Sequence, residues 1–166
     1  MEYYYFVLSY SFRLYLLICF SIAFSLWWLY FDDFGASALN KKGFILLSWI
    51  FSHYLFHLSL MYSGKSLEML LKQSYSNNYQ VSDGLLLQTF LAYGLLLLVN
   101  SIIKLINKKA GDTSRNTILY SRAIMGMITL FFVWLPITTT GGVLATVAII
   151  LGIQVAIDVF SLFFTH

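Results

Sequence analysis

Two histidines, His53 and His57, stand four residues apart, so a helix would place them one turn apart on one face, where they could share a metal or haem ligand. A complete site needs further donors, and the only other histidine is His166. The simpler reading puts both rings near a membrane surface, facing water or bonding neighbouring hydroxyls such as Ser52. A second group is ionic. Arg122 and Asp158 interrupt apolar runs, as do Asn100, Lys104 and Gln154. Each polar residue inside a membrane costs free energy unless it is paired or reaches water, so these five point to a cluster. Signatures of catalysis are missing: the chain has no Walker A loop, GxGxxG, HExxH or CxxC, and no Ser/His/acid set that spacing would favour. No enzymatic activity, metal or other cofactor is therefore expected.

The elements that must position these residues follow from composition. Of 166 residues, 60% are hydrophobic and only 10% charged, against about 25% charged in a soluble domain. Ten Lys and Arg with seven Asp and Glu cannot supply the polar shell of a soluble fold, so the excess apolar surface must face lipid. The mean hydropathy of +0.79 also excludes a disordered tail. One cysteine, Cys19, excludes an internal disulfide.

A helix crossing about 30 Å of hydrocarbon needs about 20 apolar residues. Five runs qualify: Leu14 to Phe31, Phe44 to Tyr62, Leu85 to Ile106, Ile118 to Leu135 and Val143 to Phe164. The expected fold is a single all-α, polytopic membrane domain with four to five transmembrane helices. The second run carries Ser48, Ser52, His53, His57 and Ser59, and it either spans or lies in the interface. Pro136, the only proline, marks a tight turn with Thr138 to Gly142. Ser63 to Asp83 reads as an outer connection with a soft Ser/Asn/Tyr centre. Ala36-Ser37-Ala38 resembles a cleavage site, but the run before it is too long and aromatic for a signal peptide, so an uncleaved anchor is expected.

Orientation follows from Lys and Arg, which cytoplasmic loops retain. Lys104, Lys108, Lys109 and Arg115 place their segment in the cytoplasm, and the uncharged turn after Pro136 then lies outside. If the second run spans, Lys41 and Lys42 are cytoplasmic; if it lies flat, the chain starts inside with Arg13. The location expected is the bacterial inner (cytoplasmic) membrane. The basic loop of Lys108, Lys109 and Arg115 fixes topology and attracts anionic lipid, at about 1 kcal/mol per charge. It needs no nucleic acid to explain it, and no small-molecule substrate is expected.

Antiparallel fourth and fifth helices bring Arg122 to Asp158, giving a cytoplasmic-leaflet cluster of Asn100, Lys104, Arg122, Gln154 and Asp158. It reads as glue between helices, because the outer halves of the spans offer no ionisable group to continue a pathway. On the fifth helix Gly141, Ala145, Ala148, Gly152 and Ala156 form a stripe suited to close packing, and Arg122, Gly126 and Thr129 line one side of the fourth.

The order of features in residues 95 to 166 is distinctive: Lys104, Lys108-Lys109, Arg115-Asn116-Thr117, Tyr120-Ser121-Arg122-Ala123, Trp134-Leu135-Pro136, then a last aliphatic helix from Val143 to Phe164. This layout resembles the small TraJ-like membrane proteins of integrating conjugative elements and conjugative plasmids. The resemblance implies a non-catalytic accessory subunit of a conjugative DNA-transfer (type IV secretion) apparatus, bound to its coupling ATPase or another membrane component through intramembrane helix contacts. A membrane immunity or entry-exclusion protein is the alternative. A small transporter or channel subunit is less favoured, because polar groups do not continue across the bilayer.

Overall fold

The computed structural model describes residues 10–34, 42–75, 80–107 and 113–163. They form an all-α polytopic membrane protein. Five helices are long and apolar enough to cross a bilayer: α1 (Tyr10–Phe34), α2 (Gly43–Tyr75), α3 (Asp83–Asn107), α4 (Thr113–Phe131) and α5 (Thr140–Phe163). The second apolar run, left open between spanning and lying flat, is therefore part of a helix of spanning length.

Direction alternates along the chain. Gln80 pairs antiparallel with Thr139, and the Val81 amide donates to the Thr138 carbonyl at 2.7 Å, so α3 and α5 start at the same end. Tyr15 packs beside Gly141, which puts the start of α1 there too. Two polar residues begin these helices. The Ser82 hydroxyl accepts from the Leu85 amide at 3.4 Å, and the Thr139 hydroxyl accepts from the Gly142 amide at 3.2 Å, each satisfying a donor that a helix start leaves unpaired.

The turn expected at Pro136 joins α4 to α5 after a change of helix type. Phe132–Trp134 form one 3-10 turn, and Leu135 is extended (φ −89°, ψ 144°) because the proline ring disfavours helical backbone in the residue before it. Chain entry into α2 needs a glycine: Gly43 has φ 58°, a region that side chains with a Cβ rarely adopt.

Ser63 to Asp83 departs furthest from expectation. More than half of it, Ser63 to Tyr75, continues α2, making a helix of 33 residues. The reason lies in one seam. Ser52, Phe56, Ser59, Ser63, Ser66, Leu70 and Ser74 are all buried and recur at three- and four-residue steps, so one narrow face stays inside throughout. The Ser59, Ser63 and Ser66 hydroxyls donate to carbonyls three or four residues back, at 3.0, 2.8 and 2.9 Å. These small, self-satisfied side chains let the helices approach closely. The Tyr93 hydroxyl of α3 reaches the Ser63 carbonyl at 3.5 Å.

α3 is the axis of the bundle, with Leu85, Phe90, Tyr93, Leu96, Leu97 and Ile103 in the core. It crosses α4 at two glycines. A Cβ on Gly94 would lie 2.6 Å from Leu130 Cδ2 and 3.2 Å from the Gly126 carbonyl oxygen, and one on Gly126 would lie 2.9 Å from Leu98 Cγ. Bare backbone is what permits that separation. Outward faces carry Phe20, Phe24, Leu91, Ile124, Phe131 and Ile149, as lipid contact requires.

Candidate functional site

Four of the five residues expected in the polar cluster form one hydrogen-bonded group between α3, α4 and α5. Arg122 is fully buried, its Nη2 paired with Asp158 Oδ2 and its Nη1 donating to Asn100 Oδ1 at 3.1 Å. Gln154 Nε2 donates to the other Asp158 oxygen at 2.7 Å and to the Ser121 hydroxyl at 3.0 Å. Asn100 Nδ2 donates in turn to the Leu29 carbonyl at 3.3 Å, tying α1 to the group. Lys104, the fifth, is buried one turn further along α3.

Each contribution has a local cause. Gln154 and Asp158 are four residues apart on α5, so their side chains meet on one face. Asp158 accepts from two donors and Arg122 uses both terminal nitrogens, and such engagement offsets the desolvation of a charge. The group carries one positive and one negative charge besides Lys104. None of its residues lines the groove of about 380 Å³ between α1 and α2, which is formed by Leu26, Trp27, Tyr30, Leu60, Gly64 and Leu67. Fully buried and bonded across three helices, the arrangement suits holding helices in register.

The small-residue stripe of α5 meets a different fate. Gly141 packs on Tyr15, with a Cβ position 3.1 Å from its hydroxyl, and Ala145 and Ala148 are half-buried. Gly152 faces open space and Ala156 is exposed, which corrects the expectation of a continuous packing face. α5 instead buries Val143, Leu144, Val147, Leu151, Gln154 and Asp158. A carboxylate left facing lipid costs more than small side chains gain by close packing, so the polar face sets the rotation of the helix.

Within the basic loop, Lys108 and Lys109 lie outside the described residues, and Arg115 belongs to the first turns of α4. Because α4 begins at Thr113, ahead of the apolar run expected from Ile118, Arg122 sits more than two turns inside the helix. His53 and His57 repeat one arrangement: His53 Nδ1 donates to the Trp49 carbonyl at 2.8 Å and His57 Nδ1 to the His53 carbonyl at 2.7 Å. In this pose the Nδ1 of each ring is engaged by a backbone carbonyl of its own helix. Among the described residues no group of three or more His, Cys, Asp or Glu could hold a metal ion.

Sequence reasoning missed three participants. Ser121 and Ser101 flank predicted residues, and the Ser101 hydroxyl donates to the Leu119 carbonyl across the α3–α4 interface at 2.9 Å. Gly94 sits in an apolar run where its role depends wholly on Gly126 opposite. The adjacency of each serine to a cluster residue was a usable signal; Gly94 offered none.

Comparison with known proteins gives one family match: the profile described as bacterial low temperature requirement A protein (LtrA) fits residues 7–155. No curated protein and no solved structure matches the chain. The match overturns the role implied by the TraJ-like layout: an accessory of conjugative DNA transfer bound to a coupling ATPase is replaced by membership in a different membrane-protein family. The earlier likeness rested on the order of basic, aromatic and proline positions, which any chain alternating cytoplasmic loops with short outer turns tends to share. A profile that covers most of the sequence, including all of α1 to α4, rests on far more positions, and by it this chain belongs to the bacterial low temperature requirement A (LtrA) family.

Proposed function

We propose that this protein is a non-catalytic, multi-pass component of the bacterial cytoplasmic membrane required for growth at low temperature, working through helix contacts within the lipid. The observation that carries this reading is the family match over residues 7–155, since the family is named for such a requirement. The physics of the fold agrees with it. Apolar association in water weakens on cooling. Helices in lipid are held by close packing and hydrogen bonds instead. An ion-paired cluster and a glycine crossing are contacts of that kind, and they persist in the cold. Lys108, Lys109 and Arg115 would face the cytoplasm and the anionic headgroups there.

Deleting the gene in the source bacterium and comparing growth at low and permissive temperature tests the proposal. Deletion should slow growth selectively in the cold, and the wild-type gene should restore it. Asp158→Leu should fail to restore it, whereas Arg122→Met with Asp158→Leu should restore part. Equal growth of deletion and parent strains in the cold refutes the proposal.

A further inference from the structure

A groove of about 280 Å³ runs between α2 and α3, with Leu55, Leu58 and Tyr62 on one wall and Gln88, Leu91 and Leu95 on the other. The two helices run in opposite directions, so Tyr62 and Gln88 share the end nearest the start of α3, while Leu55 and Leu95 share the other. Leu95 is midway along Asp83–Asn107, and Gln88 is five residues inside the charged start of that helix, about 7.5 Å at 1.5 Å per residue. Half the hydrocarbon thickness is about 15 Å. The groove therefore lies within the hydrocarbon, in the leaflet away from the Arg122–Asp158 cluster.

Two polar groups in this groove are unmatched. Gln88 is half-buried and Tyr62 is 61% exposed, and among the described residues neither the amide nor the phenol has a hydrogen-bond partner. The Ser59 hydroxyl in the same lining is already engaged, donating to the Leu55 carbonyl at 3.0 Å. The amides of the other leaflet are engaged as well: Asn100 bonds Arg122 and the Leu29 carbonyl, and Gln154 bonds Asp158 and Ser121. An amide or hydroxyl left unpaired in hydrocarbon costs free energy, so an apolar groove with two of them at one end suits a lipid-soluble molecule that pairs with both.

We propose that this groove binds the head of a membrane quinone, a neutral ring with carbonyl acceptors on an isoprenoid tail. Gln88 Nε2 and the Tyr62 hydroxyl are both donors, and one carbonyl oxygen, with two lone pairs, accepts from both. The tail follows Leu58, Leu91, Leu55 and Leu95 toward the bilayer middle. A phospholipid chain fills the apolar part but leaves both donors unmet, because its ester carbonyls stay with the headgroups outside the hydrocarbon. An anionic headgroup finds no cation in the lining among the described residues. A partner helix, about 10 to 12 Å across, is wider than a groove that holds about 280 Å³ over the roughly 10 Å from Gln88 to Leu95.

The test uses the full chain, in native membranes and in lipid nanodiscs. A photoreactive azidoquinone with an isoprenoid tail should label the peptides that carry Leu55 to Tyr62 and Gln88 to Leu95, and unlabelled quinone should compete. Squalene, an isoprenoid hydrocarbon with no carbonyl, should not compete at the same concentration. Gln88→Leu and Tyr62→Phe should each raise the quinone dissociation constant by roughly two- to tenfold, the range for losing one hydrogen bond. Leu58→Trp, which fills the groove, should abolish labelling. Thermal midpoints of Gln88→Leu and Tyr62→Phe at the wild-type value establish that the fold is intact. Competition by squalene or phospholipid equal to that by quinone makes the occupant an aliphatic chain and overturns the proposal. So does labelling that is absent or falls on other helices, or a dissociation constant that neither Gln88→Leu nor Tyr62→Phe changes.

Discussion

The molecule holds two ionic groups built from the same chemistry in opposite surroundings. Arg122 and Asp158 are both fully buried, enclosed by Asn100, Gln154 and Ser121 between three helices. Lys65, Glu68 and Lys72 lie along one outer face of a single helix, each about half-exposed or more. The first group fixes how helices meet within one chain, because removing either partner leaves the other's charge buried without the pairing that offsets its desolvation. The second is satisfied within its own helix, so it adds little to the fold. Placement, not residue type, decides how much an ion pair contributes to the architecture.

The largest expected effect comes from Asp158→Leu, which leaves Arg122 buried without its counter-ion. The loss should be about 3 to 5 kcal/mol, seen as a collapse of yield and a large drop in thermal midpoint in detergent. Making Arg122 apolar as well should recover most of it, and strict additivity of the two substitutions would mean that they do not act as a pair. Gly94→Ala comes next. Its Cβ would stand 2.6 Å from Leu130 Cδ2, so α3 and α4 must separate, at a cost of about 1 to 3 kcal/mol. Gly152→Ala is the control: its Cβ meets nothing within 4 Å, and its midpoint should be unchanged or slightly raised. Asn100→Ala should cost about 1 to 2 kcal/mol by removing the bonds to Arg122 and to the Leu29 carbonyl. The smallest effect on the fold belongs to Glu68→Gln, for which the thermal midpoint should stay at the wild-type value. A drop there comparable to that of Asp158→Leu would erase the contrast between the two groups.

Much of the bundle was legible residue by residue. The third run, read as Leu85 to Ile106, differs from α3 by two residues at its start and one at its end. The Arg122–Asp158 meeting followed from antiparallel spans and a shared depth. α2 was cut short at Tyr62 because hydropathy falls where Ser63, Lys65 and Ser66 begin, although Leu, Met, Lys, Glu and Gln in that stretch favour helix. A search by hydrophobicity alone does not recognise serines that satisfy themselves against their own backbone. The α5 stripe failed for the converse reason: small residues permit close approach but do not compel it, and two polar side chains on another face claimed the interior.

The sequence by itself determined that this chain lives in lipid, how many apolar segments it has, and that its few intramembrane polar groups must be paired. Those conclusions depend on local composition and on the cost of placing any polar group in hydrocarbon, which applies wherever the segments lie. Only the tertiary structure decided which face of each helix turns inward, that Gly94 meets Gly126, and that Tyr62 and Gln88 line one groove. Rotation and relative depth are properties of pairs of helices, set by packing between segments far apart in the chain, and no single segment encodes them.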